Sequence, residues 1–206
     1  HYNRHIHRQA TRILNLTQSD DELLKQMKPK GRYNIKVAQK HGVHTEQSQD
    51  IDSFYSLLTR TGMRDQFTIL PKSHYSAFLE HLDGSFLLLA TSKPANQQTD
   101  TAVAGLLGVT WGTTGIYYYG ASSYDHRNLM APYLLQWEAM QYCKAQGCTS
   151  YDLLGVAPPG ATDHPWAGVT SFKEKFGGTL VTYPEEKQVV LKPIVNALLN
   201  IKRQFF

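Results

Sequence analysis

Apolar residues recur with two different periods along the chain, and each change of period predicts another kind of element. Alternation of branched and polar residues predicts strands at Thr11–Leu16, Val43–Gln47, Ser85–Thr91, Thr101–Trp111, Thr114–Ala121, Thr149–Leu153 and Thr179–Tyr183, with Val189–Val190 extending the last pairing. Three- and four-residue spacing predicts helices from Ser19 onward and at Arg32–Lys40, Asp50–Thr61, Pro71–Leu82, Leu129–Gln146, Gly168–Phe176 and Ile194–Phe206.

Capping and breaking residues sharpen these boundaries. Ser19 followed by Glu22 three residues later predicts a capping box at the first helix. Pro29 and Gly31 are expected to interrupt the helical pattern before the basic second helix begins. The apolar stripe of that second helix is expected to consist of Tyr33, Val37 and Ala38.

The order of elements predicts a single α/β (α+β) domain over residues 1–206, with residues 1–10 as a basic N-terminal extension. Helices come first, then an antiparallel meander, then a long helix, a strand, a helix and a strand, which predicts a mixed, mostly antiparallel sheet with helices on both faces. This order resembles the GNAT-type acyltransferase fold. Its acetyltransferases hold coenzyme A on a glycine-rich strand-to-helix loop. The junction Ser122–Met130 has no glycine, so acetyl-CoA is disfavoured, and Arg127 with the nearby tyrosines takes the place of the phosphate cradle.

Composition excludes several classes of protein. No apolar run approaches the roughly 18 residues that a membrane-spanning helix needs, and the His/Arg-rich N-terminus has no apolar core of a secretory signal. The spacing of Cys143 and Cys148 fits neither a zinc knuckle nor a redox pair, so two free thiols indicate a reducing compartment. The scattered histidines predict no metal site.

Positive charge is concentrated near the N-terminus. The first 45 residues contain nine Lys or Arg residues and three acidic ones, although the net charge of the whole chain is only +4. Such a face suits phosphates of a nucleic acid, a nucleotide-linked substrate or an anionic lipid. A solvated face without a binding role remains the alternative.

The candidate chemistry lies in Ala167–Gly178, which follows the Pro/Gly-rich loop Ala157–Pro165. Phe172 and Phe176 are one helical turn apart and can anchor one face of a short helix, while Lys173 presents an ammonium group at a cleft. The alternative is an amphipathic helix with solvated lysines and a glycine C-cap.

Five ordered blocks carry a resemblance to a known family. They are Lys30–Ala38, Tyr118–Ser122, Arg127–Glu138, Gly147–Gly155 and Phe172–Gly177. Together they resemble the FemABX family, whose members are aminoacyl-tRNA-dependent peptidyltransferases that build the interpeptide bridges of peptidoglycan. Members usually have two GNAT-like domains, and these blocks belong to the C-terminal one. The blocks predict that the first domain is absent from this chain, which leaves a fragment, a partner or dimer that completes the cleft, or a changed activity as explanations.

The resemblance implies transfer of an amino acid from aminoacyl-tRNA, as co-substrate without a further cofactor, to an amine of lipid II or a UDP-MurNAc-peptide. It implies that Lys173 is the cation near the reacting ester, and that Asp152 orients the amine or accepts its proton, unless this carboxylate only bonds backbone. One of Tyr118 and Tyr119 should face the substrate and the other the core. Further substrate contacts are expected from Phe172, Arg127, Arg32, Tyr33, Lys36, Lys72, Tyr75 and Trp166. A surface role remains the alternative for Arg32, Tyr33 and Lys36, and a role as a packing anchor remains the alternative for Trp166.

Two other functions remain open from the sequence. One is a non-catalytic GNAT-like module that binds tRNA or a cell-wall precursor, and the other is a CoA-dependent N-acyltransferase. The transferase is expected at the cytoplasmic face of the membrane, with peripheral contact through the basic apolar helix that includes Lys202 and Arg203.

Overall fold

The computed structural model describes residues 9–93, 100–161, 163–184, 191–192 and 199. Its strands are β1 (Ala10–Asn15), β2 (His44–Ser48), β3 (Ser85–Ser92), β4 (Thr101–Trp111), β5 (Thr114–Ser122), β6 (Ser150–Asp152) and β7 (Thr179–Thr182). Its α-helices are α1 (Asp20–Gln26), α2 (Pro29–Lys40), α3 (Ile51–Asp65), α4 (Lys72–His81), α5 (Ala131–Ala145) and α6 (Ala167–Lys173). Single 3-10 turns over Arg127–Leu129 and Glu174–Phe176 precede α5 and follow α6.

All seven strands form one sheet in the order β2-β3-β4-β5-β6-β1-β7. Neighbouring strands are antiparallel except β5 and β6, which are parallel and are joined through α5. The predicted mixed, mostly antiparallel sheet is therefore confirmed. The parallel pairing of β5 and β6 is short and leaves the second half of β5 without a neighbour on that side.

Two cores cover the two faces of the sheet. The larger core contains α1, α2 and α5 and includes Leu23, Ile35 and Met140. The smaller core contains α3 and α4 and includes Phe54, Leu58 and Tyr75. The prediction of helices on both faces is confirmed, and the inward residues Phe54, Leu57 and Leu58 of α3 are buried as expected from their spacing.

The first helix begins as predicted. The side chain of Ser19 accepts a hydrogen bond from the Glu22 backbone N–H, and the Glu22 carboxylate accepts one from the Ser19 N–H at 2.8 Å. This reciprocal pair satisfies two donors that a helix start leaves open.

The second helix differs from its prediction at both its start and its buried face. Pro29 begins α2 because proline is tolerated in a first helical turn, and Gly31 continues the helix where a Cβ would meet the backbone carbonyl of Lys175. Tyr33 was expected in the apolar stripe, but it is 66% exposed. Ala38 is buried as predicted, Val37 is half-buried, and Ile35, which the prediction omits, is buried as well. The prediction is therefore wrong for Tyr33 and confirmed for Ala38.

Other boundaries shift by a few residues. The long helix starts at Ala131, because Met130 adopts a left-handed backbone conformation after the 3-10 turn. Four predicted parts lie at least partly outside the described residues: residues 1–8 of the basic extension, residues 94–99 between the third and fourth predicted strands, Val189–Val190, and all of the predicted last helix except Leu199. Within the described part of the chain, no helix is both long and apolar enough to cross a membrane.

Candidate active site

A cleft opens where β5 and β6 separate. β5 pairs with β6 only from Thr114 to Ile116, although β5 itself continues to Ser122. The cleft beside the unpaired part of β5 has a volume of 820 Å³. Its walls come from the end of α3 and the loop after it, the middle of β4, the second half of β5, the first turns of α5, and residues 165–172. A cleft of this size accommodates a small-molecule group or the end of a polymer.

A β-bulge at Tyr118 decides which tyrosine reaches the cleft. Leu107 pairs with Tyr119 and Gly108 pairs with Tyr117, so Tyr118 has no partner in the ladder. The extra residue turns Tyr117 and Tyr119 to opposite faces, although they are two positions apart. Tyr117 packs against the larger core and lines the cleft, whereas Tyr119 packs against the smaller core.

Gly120 makes room for the Tyr117 ring. A Cβ at this position would overlap the Tyr117 hydroxyl. Glycine inside a strand often marks such a close approach. Gly120 and Tyr117 therefore form one unit of the cleft floor.

A buried amide links two phenols beneath the cleft. The Tyr151 hydroxyl donates to Gln136 Oε1 at 3.0 Å, and Gln136 also forms a hydrogen bond with Tyr117. Burial raises the pKa of Tyr117 to about 12, and the hydrogen bond with Gln136 opposes that rise. Burial likewise raises the pKa of Tyr151. Both phenols are thus neutral at ordinary pH and serve as hydrogen-bonding groups.

Lys173 is buried behind this floor, with only 6% of its surface exposed. Its Nζ donates to the carbonyl of Gly155 at 2.8 Å and to that of Leu154 at 3.3 Å, and it lies 5.5 Å from the centre of the Tyr117 ring. Two carbonyl dipoles and a ring face together stabilise a buried ammonium. The alternative prediction, an amphipathic helix with solvated lysines, is therefore wrong for Lys173.

Aromatic packing fixes the helix that carries this lysine. Phe172 and Phe176 contact each other and both contact Tyr133 of α5, with ring centres 5.2 to 5.8 Å apart. Phe176 is fully buried, whereas Phe172 also lines the cleft. The expected aromatic anchor is confirmed, and it holds Lys173 toward the loop after β6.

Asp152, at the end of β6, bonds its neighbours. Its Oδ1 accepts from the Thr11 hydroxyl and, at 2.7 Å, from the backbone N–H of Leu154. Leu154 has a left-handed backbone conformation, with φ of 55°. Such a conformation is unfavourable for leucine, and the carboxylate holds it in place. This is the backbone-bonded arrangement that the sequence left open; a role in proton transfer stays a prediction.

Several predicted substrate contacts lie on the other face of the sheet. Tyr75 is 3% exposed and packs edge-on against Tyr119, and Tyr118 contacts Phe78. The Tyr119 hydroxyl is 3.0 Å from His74 Nε2. Lys72 forms an exposed ion pair with Asp52 at 2.7 Å. None of Tyr75, Tyr118, Tyr119 and Lys72 lines the cleft, and their contacts with substrate stay predictions.

The predicted contacts on α2 divide into two groups. Arg32 turns back and donates to carbonyls at the end of α1, those of Leu24, Lys25 and Met27. Such bonds satisfy carbonyls that a helix end leaves open, so Arg32 has a structural role. Tyr33 and Lys36 point outward and are exposed.

Of Trp166 and Arg127, only Trp166 lines the cleft. Trp166 lines it beside Val169 and is 41% exposed. Arg127 instead stacks on Tyr124, with its guanidinium carbon 4.2 Å from the ring centre, and donates to the Tyr124 carbonyl. It does not line the cleft, so its expected place as a phosphate cradle stays a prediction.

Sequence reasoning missed most of the cleft wall, including its polar residues Tyr117, Gln136 and Arg64. The isolated glycine after the tyrosine triplet was the available signal for Tyr117. Nothing local marks Gln136, because it belongs to the buried face of an otherwise ordinary helix. Among the described residues, no three His, Cys, Asp or Glu side chains are grouped so as to hold a metal ion.

Curated relatives are similar over nearly the whole chain. Lipid II:glycine glycyltransferase of Staphylococcus epidermidis (strain ATCC 35984) is 25% identical over 263 positions, which take in 96% of this chain and 62% of the relative. The protein of the same name from Staphylococcus aureus (strain MSSA476) is 23% identical, with 96% and 63% covered. The chain thus spans slightly less than two thirds of the length of these relatives.

Solved structures with a similar fold include FemX, with a TM-score of 0.79 and 20% identity over 85% of this chain and 60% of that one. L-PGS from Bacillus licheniformis has a TM-score of 0.57 at 12% identity, covering 84% and 58%. An aminoglycoside acetyltransferase from a soil metagenome has a TM-score of 0.50 at 14% identity, covering 73% and 97%. At these identities the likeness is one of fold, and it confirms the GNAT-like architecture.

The family itself is shown by a model that covers most of the chain. The model of the FemAB family matches residues 1–95 and 87–202. The two matches overlap over residues 87–95, which take in most of β3, and together they cover residues 1–202. The predicted resemblance is confirmed, and this chain belongs to the FemAB family.

Proposed function

We propose that this chain is an acyltransferase that moves an amino acid from aminoacyl-tRNA to an amine of a peptidoglycan precursor peptide, lipid II or a UDP-MurNAc-peptide, and so builds the interpeptide bridge. Family membership and the name of the curated relatives, lipid II:glycine glycyltransferase, support this class of reaction. The observation that carries the proposal is the buried ammonium of Lys173 behind the cleft floor.

The chemistry requires an electrophile, an amine and a place for negative charge. The acceptor amine attacks the ester carbonyl of the aminoacyl group, a C–N bond forms, and the C–O bond to the terminal ribose breaks. The amine loses a proton and the ribose oxygen gains one, so the reaction balances without a further cofactor. Between these steps the former carbonyl oxygen is negative, and fixed positive charge in surroundings of low dielectric constant stabilises it.

Lys173 supplies that charge in this proposal. Its ammonium is fixed by the carbonyls of Leu154 and Gly155 and by the Tyr117 ring, so little reorganisation is needed when charge develops. Phe172 and Trp166 line the same cleft, and their rings are candidates for stacking with the terminal base. We assign Asp152 the positioning of Leu154, whose carbonyl Lys173 contacts.

We place the reaction at the cytoplasmic face of the membrane, where the chain meets a lipid-linked precursor by peripheral contact. The acceptor peptide is expected to need a surface beyond the cleft, supplied by a further domain or a second copy.

The test is transfer of labelled amino acids from a set of charged tRNAs to the soluble nucleotide precursor and to lipid II. We compare the wild-type chain with Lys173→Met, which removes the charge and keeps the length of the side chain. Lys175→Met is the matched control, since Lys175 bonds Ser171 on the outer side of the same segment. Lost transfer with retained tRNA binding in Lys173→Met alone supports the proposal.

Two results would contradict it. Binding of tRNA or precursor without product for any pair favours a non-catalytic module. Measurable affinity in a coenzyme A titration, with acetyl transfer to an amine, favours the CoA-dependent alternative.

A further inference from the structure

The outer side of α2 carries a row of three lysines and a tyrosine that do not line the cleft. We call it the α2 stripe: the exposed residues Lys30, Tyr33, Lys36 and Lys40, which recur every three or four positions. This spacing puts them on one side of the helix. The stripe spans about 15 Å, at a rise of 1.5 Å per residue. No acidic residue interrupts it, because α2 contains none.

These lysines are not engaged in the protein's own structure. None of Lys30, Lys36 and Lys40 has a hydrogen-bond or ion-pair partner among the residues that the structure describes. Other exposed cations differ in this respect: Lys72 pairs with Asp52, and Lys144 pairs with Asp20. The positive charge of the stripe is therefore left to solvent or to a partner.

The positive charge at the start of α2 is unfavourable for the helix dipole. The first turn of α2 carries Lys30 and Arg32 after the N-cap Lys28, and it has neither an acidic residue nor a side-chain cap. Lys28 pairs with Glu174 at 2.7 Å, and Arg32 donates to carbonyls at the end of α1. Lys30 is the cation of this turn that has no such partner among the described residues. A helix start favours negative charge, so this arrangement costs stability. Lys175 of the neighbouring 3-10 turn adds to it, and its pKa is lowered first by partial burial and then by the charges of Lys30 and Lys28. A cost of this kind is expected where function requires the charge.

The stripe lies beside the helix that carries Lys173. α2 packs on α5 and on the turn Glu174–Phe176, and Asn34, next to Tyr33, forms a hydrogen bond with Tyr133. Tyr133 in turn contacts Phe172 at the cleft wall. A molecule bound along the stripe is thus on the same side of the sheet as the cleft wall formed by α6.

We propose that the α2 stripe binds the phosphate backbone of the donor RNA, outside the cleft; this rests on the proposed aminoacyl-tRNA-dependent function. One strand of a B-form DNA helix presents a phosphate about every 3.4 Å along its axis. On this scale the stripe faces roughly four phosphates of a nucleic-acid strand. Tyr33, 66% exposed among the lysines, offers a ring for stacking on an unpaired base.

A membrane surface fits the stripe less well. A helix that lies on a membrane exposes an apolar face and flanks it with basic residues. The apolar face of α2 is buried, because Ile35 and Ala38 belong to the larger core. What remains outside is polar and charged except for one tyrosine.

The test measures binding of an uncharged RNA hairpin with the length of a tRNA acceptor arm and an unpaired 3′ CCA end, by fluorescence anisotropy at several KCl concentrations. The variant K30Q/K36Q/K40Q removes three charges and keeps good helix formers. The control R60Q/K93Q/K192Q removes the same number of exposed charges elsewhere. We expect the logarithmic salt slope to fall by roughly two to three in the first variant and to stay unchanged in the control. Tyr33→Ala is expected to weaken binding roughly tenfold with the slope unchanged.

Equal losses of affinity for the RNA hairpin in the triple variant and in the control would overturn the inference. So would unchanged RNA binding in the triple variant together with lost binding to vesicles of phosphatidylcholine and phosphatidylglycerol. The probe carries no amino acid, so its binding is read independently of transfer. A chain that binds the hairpin through the stripe but transfers nothing removes the proposed function and leaves the stripe as an RNA-binding surface.

Discussion

Asp152 and Lys173 bind the same residue from its two ends. The Asp152 carboxylate accepts the backbone N–H of Leu154 at 2.7 Å, and the Lys173 ammonium donates to the Leu154 carbonyl at 3.3 Å. Leu154 has a positive φ of 55°, which costs a leucine about 1–2 kcal/mol. The two residues expected to be catalytic therefore also hold one strained residue between them.

This arrangement predicts that Asp152 and Lys173 are energetically coupled. We expect Asp152→Ala and Lys173→Met each to lower the free energy of unfolding by about 1–3 kcal/mol, because each leaves a buried polar group without its partner. The double variant should lose less than the sum, by roughly 0.5 kcal/mol or more. Urea unfolding of the four proteins gives the cycle. Strict additivity would mean that Leu154 does not connect them.

Much of the fold could be predicted because its signals are local. A capping box needs only Ser19 and Glu22, and the meander needs only alternation and the turn at Gly112–Thr113. The α2 helix shows where local signals fail. Pro29 and Gly31 indicate a break when only the sequence is considered, but Gly31 continues the helix because it packs against the backbone of Lys175, a contact across more than 140 positions.

The candidate site shows the same division. Lys173 could be predicted from its own segment together with the family blocks. Tyr117 could not, because the side chain that reaches the cleft depends on a bulge between two strands, and the same bulge sends Tyr119 to the other core. Arg32 was assigned to substrate on its charge alone, whereas its carbonyl partners at the end of α1 appear only in the folded chain.

The contact between Gly120 and Tyr117 predicts a localised defect. We expect Gly120→Ala to lower stability by about 1–3 kcal/mol, because the new Cβ overlaps the phenol and the ring must move. Transfer activity should fall even at temperatures where the variant is fully folded, since Tyr117 lines the cleft and its ring contacts Lys173. Thermal unfolding and transfer assays measure the two effects.

Gly168→Ala is the matched control for that variant. Gly168 also lines the cleft, but an added Cβ would have no atom within 4 Å. Because Gly168 lies inside α6, alanine should leave stability unchanged or raise it by up to about 1 kcal/mol. A loss as large as that of Gly120→Ala would show that the cleft tolerates no added volume anywhere, and that the overlap with Tyr117 is not the cause.

The two cysteines should report on global unfolding. Cys143 and Cys148 are both buried, and desolvation raises the pKa of each thiol, so little reactive thiolate is present. We expect neither to react with iodoacetamide at pH 8 within minutes, and both to react in urea, as measured by intact mass. Rapid labelling of the native chain would indicate local opening between α5 and β6.

Alkaline destabilisation should depend on Tyr117. Its pKa is raised to about 12 by burial, whereas an unfolded tyrosine titrates near 10. The folded state therefore favours the neutral phenol. The contribution of this pKa shift to the free energy of unfolding is fully present below pH 10, and about 1–3 kcal/mol is lost as the pH rises toward 12. Tyr117→Phe should flatten this loss in urea unfolding measured from pH 8 to 12, with the remaining slope including a contribution of the same sign from Tyr151. Tyr33→Phe is the control, because Tyr33 is 66% exposed and its environment hardly changes on unfolding.

An equal slope of the free energy of unfolding against pH in Tyr117→Phe and the wild-type chain would contradict this prediction. It would show that the phenol ionises without loss of the folded state, and that the floor of the cleft is more accessible to water than its packing indicates.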